Sequence, residues 1–217
     1  MRATDGVALA AVEAGTGKHG VVLVHELGSQ GLCGWWDYAA YLSQRGFHVL
    51  LFDHRCTGES DCPPAGPSGN GLMSDIGAAI DRLRTDGTAK VALLGASQGA
   101  SEALIAATRP RTAVSGVVAL SADELTQRLA ASPYPETAND AAPKLRVPVL
   151  FAVAKDDPYA SVSDSRRLVA AAGSADKRLT VLDAGSGHGW TLVSSDQGST
   201  RPAFSRTVTA FLRTTTS

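Results

Sequence analysis

The sequence has no run of basic residues, no apolar run approaching the ~20 residues that a membrane-spanning helix needs, and few cysteines. Each absence excludes something. With 20 Lys and Arg against 21 Asp and Glu, a net charge of −1 leaves no concentrated positive face, which sets aside nucleic acid and anionic membrane surfaces as partners. The opening MRATDGVALAAVEAGTGKHG lacks a continuous hydrophobic core and carries Asp5 and Glu13, so no export signal is read and a cytoplasmic location is expected. The three cysteines, Cys33, Cys56 and Cys62, are an odd number, which argues against a disulfide framework. A Cys56–Cys62 bridge is conceivable, but reduced thiols are the expectation. HELGS lacks the second histidine of a zinc protease helix, no other metal cluster is visible, and neither a G-x-G-x-x-G run nor a phosphate-loop Lys is present. No metal and no cofactor are therefore expected. Repeats and linkers are absent too, and 44% hydrophobic with 19% charged residues suits one globular domain over residues 1–217.

What is present is a recurrence of short apolar runs between helix-like segments. VALAAV (7–12) and VVLVHE (21–26) lie too close together for a helix between them and read as a hairpin. YAAYLSQRG has helical spacing and stops at Gly46, and FHVLLFD (47–53) follows as a buried strand. LMSDIGAAIDRLRTDG reads as a helix ending at Gly87, KVALLGAS as a strand, and GASEALIAATRP as a helix closed by Pro110. VSGVVALSA and VPVLFAVA (147–154) are strands, SVSDSRRLVAAAG a helix, RLTVLD (178–183) a strand and PAFSRTVTAFLR a last helix. Strands that are apolar at nearly every position need cover on both faces. The expected class is α/β, a mostly parallel doubly wound sheet with helices on both faces and an antiparallel start. ESDCPPAGPSGNG (59–71) and SPYPETANDAAPKLR (132–146) read as loops near the edge where such sheets bind ligands.

One stretch, VALLGASQGASEAL, runs an apolar strand into Gly-Ala-Ser-Gln-Gly and on into a helix. G-x-S-x-G alone is a weak signal, but between a strand and a helix it has the setting of a nucleophile elbow. There Ser97 must take strained backbone angles, and side chains at Gly95 or Gly99 would collide with neighbouring chain. Gln98 opens the helix, so its backbone N–H faces an oxyanion forming on an attacked carbonyl. The plain alternative makes Ser97 a helix N-cap. A nucleophilic serine needs a base, and the base needs a group to fix its tautomer. His188 is the one histidine after Ser97, in a Gly-rich loop following the final strand. VLFAVAKDDPYAS ends a strand in Asp156 and Asp157, either of which can serve as the acid. A solvent-exposed histidine and an Asp-Pro turn are the plain alternatives.

Together these pieces resemble the α/β-hydrolase superfamily over nearly the whole chain. The resemblance rests on VVLVHELG, on FDHRCTGES where many members carry Asp-x-Arg-Gly-x-Gly-x-Ser, and on GASQG, AKDDP and GSGHG. It implies the α/β-hydrolase fold and a catalytic triad of Ser97, His188 and Asp157, with Ala154 where the acid turn usually has glycine and Asp156 as the fallback. It also implies an oxyanion hole made by the N–H groups of Leu27 and Gln98. Glu26 stands where glycine is usual, which is similar to the dienelactone hydrolase branch, in which a glutamate near this position lies by the nucleophile. That implies an active-site modulator, accepting the Ser97 hydroxyl or gating substrate charge; the plain alternative is an ion pair with Arg55. Relatives that use an Asp nucleophile, the dehalogenases and epoxide hydrolases, are set aside by Ser97.

Many such hydrolases carry a cap domain between the strands VVALSA and VPVLFAVA. Here only Asp123 to Arg146 intervene, room for one short helix, DELTQRLAAS, and a proline-rich loop. A minimal cap or none is expected, with an open site for small soluble esters or carrier-bound acyl groups. Trp35, Trp36, Tyr134, Tyr159 and Trp190 fall near loop ends as candidates for a substrate pocket, Tyr159 and Trp190 foremost, against plain packing roles. The expected function is hydrolysis of carboxylic esters or thioesters through an acyl-enzyme. A dienelactone-type lactone hydrolase and a non-catalytic ligand-binding member of the fold are the rivals, and oligomeric state is not readable.

Overall fold

Seven strands make one sheet in the computed structural model, which describes residues 1–28, 30–122, 136–195 and 200–217. They are β1 (Ala11–Ala14), β2 (His19–Val24), β3 (Phe47–Phe52), β4 (Lys90–Ala96), β5 (Val117–Leu120), β6 (Val149–Ala154) and β7 (Lys177–Leu182). Their order is β1-β3-β2-β4-β5-β6-β7, parallel except for β1, which runs antiparallel on β3. The helices are α1 (Trp36–Ser43), α2 (Gly69–Thr85), α3 (Gln98–Ala106), α4 (Ala138–Ala141), α5 (Val162–Ala171) and α6 (Phe204–Thr216).

Alternation along each strand divides the core in two. Val22 and Val24 of β2 face Ile76 and Ile80 of α2 and Leu104 of α3, while Val21 and Leu23 face Leu42 of α1 and Val208 and Leu212 of α6. Such doubly covered strands must be apolar on both faces, and each fully buried Val or Leu stabilises by about 1.5–3 kcal/mol. The doubly wound α/β architecture expected from the apolar runs is what forms.

The expected hairpin does not form. β1 and β2 are separated by β3, so residues 15–18 step across the start of β3. Two glycines permit the crossing: a Cβ on Gly15 would lie too close to the Phe47 carbonyl oxygen, and one on Gly17 too close to that of Gly46. The expectation of reduced thiols is also corrected, because Cys56 and Cys62 are disulfide-bonded and Cys33 alone is free. An odd count does not forbid a local pair. The turn after β3, closed by Cys56 N–H to the Asp61 carbonyl at 3.1 Å, brings the two cysteines face to face. Cys56 occupies a left-handed backbone position, φ 65°, where the resembling motif has glycine.

Ser68 caps α2 by accepting from Gly71 N–H at 3.1 Å, so this helix starts inside the stretch read as a loop. In the second expected loop, Thr137 and Asp140 form a capping box on the four-residue α4. The expected helix DELTQRLAAS and Tyr134 lie outside the described residues. Among the described residues, no helix is long and apolar enough to cross a membrane.

The chain leaves β2 toward β3 on one side and β4 toward β5 on the other. The crevice at the carboxyl ends of β2 and β4 is therefore the topological switch point of the sheet.

Candidate active site

Ser97 stands at that switch point, directly after β4, with φ 52° and ψ −119°. A non-glycine residue in this region is strained by roughly 1–3 kcal/mol and is held there by its surroundings. Its N–H donates to the Leu120 carbonyl at 2.8 Å, tying the turn to β5. A Cβ on Gly95 would overlap the Gly99 backbone, and one on Gly99 would collide with the carbonyl oxygens of Val24 and His25. The motif glycines are thus required by contacts within the elbow and with the end of β2. Ser97 occupies the N-cap position of α3, but its side chain accepts no capping hydrogen bond.

His188 follows β7 on a loop whose Gly185, Gly187 and Gly189 all have positive φ. Its Nδ1 lies 2.7 Å from Asp157 Oδ1, beyond the end of β6. The same carboxylate oxygen accepts from the N–H groups of Tyr159 at 3.0 Å and Ala160 at 2.9 Å. Burial works against the Asp157 charge, but the His188 and Ser121 side chains and those two N–H groups outweigh it and hold the carboxyl below its usual range. An ionised acceptor there puts the neutral imidazole proton on Nδ1 and leaves Nε2 as the basic nitrogen. Asp156 points elsewhere, accepting from Gly185 N–H at 2.9–3.0 Å. The Ser97 hydroxyl itself makes no hydrogen bond among the described residues; His188 and Asp157 are joined beyond β7 and β6, while Ser97 stands at the end of β4, with β5 between it and β6.

Ser121 was not singled out from the sequence. It follows β5 with φ 52°, and its Oγ accepts from Gly189 N–H at 3.0 Å, which anchors the loop of His188. The available signal was a second serine ending an apolar strand, in VVALSA.

Glu26 lies against the same loop. Trp190 N–H approaches its Oε2 at 3.4 Å, and any Cβ at Gly189 would collide with that oxygen. Burial pushes the Glu26 carboxyl up, against the pull of His188. The plain expectation of a Glu26–Arg55 pair is not met: Arg55 binds Asp75 and Asp5 instead, each at 2.7 Å. Glu26, Leu27, Gly28, Gln30, Gly31 and Trp190 line a cavity of about 240 Å³. Leu27 is exposed, and the Trp190 indole packs on Gly34. Tyr159 is exposed and sets its ring edge-on to His188, centroids 4.9 Å apart. Trp35 is in the core and Trp36 is exposed.

Away from this site, Glu13 of β1, His48 of β3 and Asp86 at the end of α2 bring ligand atoms within 4.8 Å of one another. The Arg82 guanidinium bridges Glu13 at 2.6 Å and Asp86 at 3.1 Å and supplies the positive charge the carboxylates require.

Residues 16–136 match the family described as Serine aminopeptidase, S33, a segment that contains Ser97 and ends before Asp157. No curated protein sequence matches the chain. Among solved structures, an esterase from Pyrococcus furiosus is similar with a TM-score of 0.75 and 17% identity, covering 99% of this chain and 87% of its own. A monoacylglycerol lipase from Paleococcus ferrophilus is similar with a TM-score of 0.72 and 20% identity, covering 96% and 98%. An enol-lactonase from Burkholderia xenovorans is similar with a TM-score of 0.69 and 19% identity, covering 98% and 96%.

Proposed function

The chain belongs to the serine aminopeptidase S33 family and so to the α/β-hydrolases, and on that premise we propose that it is a serine esterase working through Ser97, His188 and Asp157. Ser97 Oγ attacks the ester carbonyl while His188 Nε2 takes its proton. The N–H groups of Leu27 and Gln98 hold the oxyanion, and His188 returns the proton to the leaving alkoxide. Water then attacks the acyl-enzyme with His188 again as base, which releases the acid and restores Ser97. Asp157 keeps the proton on Nδ1 and stabilises the imidazolium.

The observation that carries this reading is the His188 Nδ1 to Asp157 Oδ1 hydrogen bond of 2.7 Å, at the same sheet edge as the elbow serine. The Ser97–His188 contact closes when substrate fills the site, as catalytic hydrogen bonds often tighten only in the Michaelis complex. A cavity of about 240 Å³ beside Leu27 suits short acyl groups. Thioesters share the acyl-enzyme route. On a series of p-nitrophenyl esters, Ser97→Ala is expected to lower kcat by at least about 10⁴-fold with the fold unchanged. Turnover of activated esters by Ser97→Ala as fast as by the parent overturns the reading.

One observation favours a second reading, lactone hydrolysis of the dienelactone type: the Glu26 carboxylate sits against the loop of His188 and lines the cavity. Glu26→Gln separates the two, since a bystander leaves the rate within a few-fold.

A further inference from the structure

Beneath the loop that carries Glu26 and Leu27 lies a buried cluster of charge that hydrolysis as described does not use. His54, just beyond β3, is closed in by Glu102 of α3 and Asp75 of α2, all three at most 3% exposed. His54 Nε2 lies 2.6 Å from Glu102 Oε2, and its Nδ1 3.6 Å from Asp75 Oδ2. Asp75 also receives the N–H and guanidinium of Arg55, which reaches on to Asp5. Burial disfavours the imidazolium, but Glu102 and Asp75 overcome it and push the His54 pKa up to about 9.

His25 packs on His54 with ring centroids 5.0 Å apart. Its Nε2 lies 3.2 Å from the backbone N–H of His54, with the Thr57 hydroxyl at 3.4 Å, and its Nδ1 lies 2.7 Å from the Glu26 carbonyl oxygen. A backbone N–H needs a lone pair and a carbonyl needs a proton, so His25 is the neutral Nδ1–H tautomer. Burial and the adjacent imidazolium both lower its pKa, in agreement. At the other end of the cluster, Gln98 Nε2 donates to Glu102 Oε1 at 2.7 Å.

The contacts form one chain: the Gln98 side chain, Glu102, the His54 ring and backbone, His25, and the Glu26 carbonyl. Its ends are significant. The Glu26 carbonyl and the Leu27 N–H belong to one rigid trans peptide plane, in which the oxygen and the hydrogen point in opposite directions. Holding the oxygen therefore aims the N–H. Gln98, at the other end, carries the second N–H.

We propose that Glu102 is a positioning residue for the oxyanion hole: through His54 and His25 it fixes the Glu26–Leu27 peptide plane, and through the Gln98 side chain it fixes the start of α3, so that the two N–H donors keep one relative placement. The role rests on the serine esterase reading. Glu102 touches no reacting atom; its loss is felt through the two donors, which interact most strongly with the oxyanion of the transition state, so the expected loss is in kcat rather than KM.

The test measures kcat and KM on p-nitrophenyl acetate for the parent protein, Ser97→Ala, Glu102→Ala and Glu102→Gln. Removing one oxyanion donor outright costs about 10²–10³ in kcat, so misaiming the donors in Glu102→Ala is expected to cost about 10–100-fold, with KM within about three-fold. Glu102→Gln, which keeps the acceptor for Gln98 and places an amide donor before a neutral His54, is expected to recover most of that loss. Should Glu102→Ala fail to fold, the same comparison is made between His25→Ala and His25→Asn, the asparagine amide standing in for Nδ1–H. Ser97-dependent turnover with kcat indifferent to Glu102→Ala, or with the loss in KM alone, overturns the proposal and leaves the esterase reading intact. Turnover that survives Ser97→Ala overturns both.

Discussion

His188 Nδ1 and Asp157 Oδ1 lie 2.7 Å apart, although 31 residues and a strand separate them in the chain. The contact is made between loops at the carboxyl ends of β6 and β7, adjacent and parallel in the sheet. The Asp157 side chain is shut off from solvent, while the imidazole keeps one edge accessible. The proposed role of His188 as base needs this arrangement, in which Nδ1 is held by the carboxylate and the second nitrogen is left for the reaction.

Asp157 and its neighbour should therefore differ sharply. Asp157→Asn leaves the shape but removes the ionised acceptor that fixes the imidazole tautomer, and kcat is expected to fall by about 10³–10⁴-fold. Asp156→Asn, which alters only contacts to Gly185, is expected to stay within a few-fold. Steady-state rates on one activated ester decide between them.

Glu26 is costly to ionise where it sits, because burial raises its folded pKa above the unfolded value of 4.5. Its contribution to stability is fully present below that pH and is lost as pH rises through the folded pKa. Glu26→Gln is accordingly expected to melt with the parent near pH 4 and above it at pH 7 to 8, with turnover changed only a few-fold. Thermal melts across that range check the sign, and a rate loss beyond about 100-fold, the range of a lost transition-state contact, favours the lactone reading.

His54 has the opposite chemistry and the same direction. Its folded pKa, about 9, lies above the unfolded 6.5. The stabilisation from keeping it charged is complete below pH 6.5 and disappears as pH rises through about 9. Parent melting temperature is expected to fall across that window, and Glu102→Gln, lacking the carboxylate, is expected to flatten the fall.

The Cys56–Cys62 bridge closes a loop of six-residue separation. Chain entropy alone assigns so short a loop about 2 kcal/mol. Cys62→Ser is expected to lower the melting temperature by about 4–8 °C. A reductant should reproduce the shift in the parent and not in the variant.

These residues also mark how far a reading of the chain could reach. Ser97 was legible because its requirements are local: Gly95 and Gly99 clear the elbow and the apolar run before it defines the strand. Asp157 and His188 could be named because each lies in the loop that follows a strand, but their contact depends on β6 and β7 being neighbours, which only the sheet order supplies. β1 was misassigned because nothing in VALAAV states that β3 inserts beside β2; the sterically required Gly15 and Gly17 were the clue. The Glu102–His54–His25 cluster was invisible, since its members come from three elements and share no spacing. The disulfide was hidden by the odd cysteine count, though the six-residue interval allowed it.

The most direct measurement is covalent labelling with a fluorophosphonate, followed by mass spectrometry of the digested protein. One phosphonyl group on the peptide carrying Ser97, absent from His188→Ala, is the expected result. A protein that stays unlabelled at Ser97 under conditions where it hydrolyses esters contradicts a reaction through that serine.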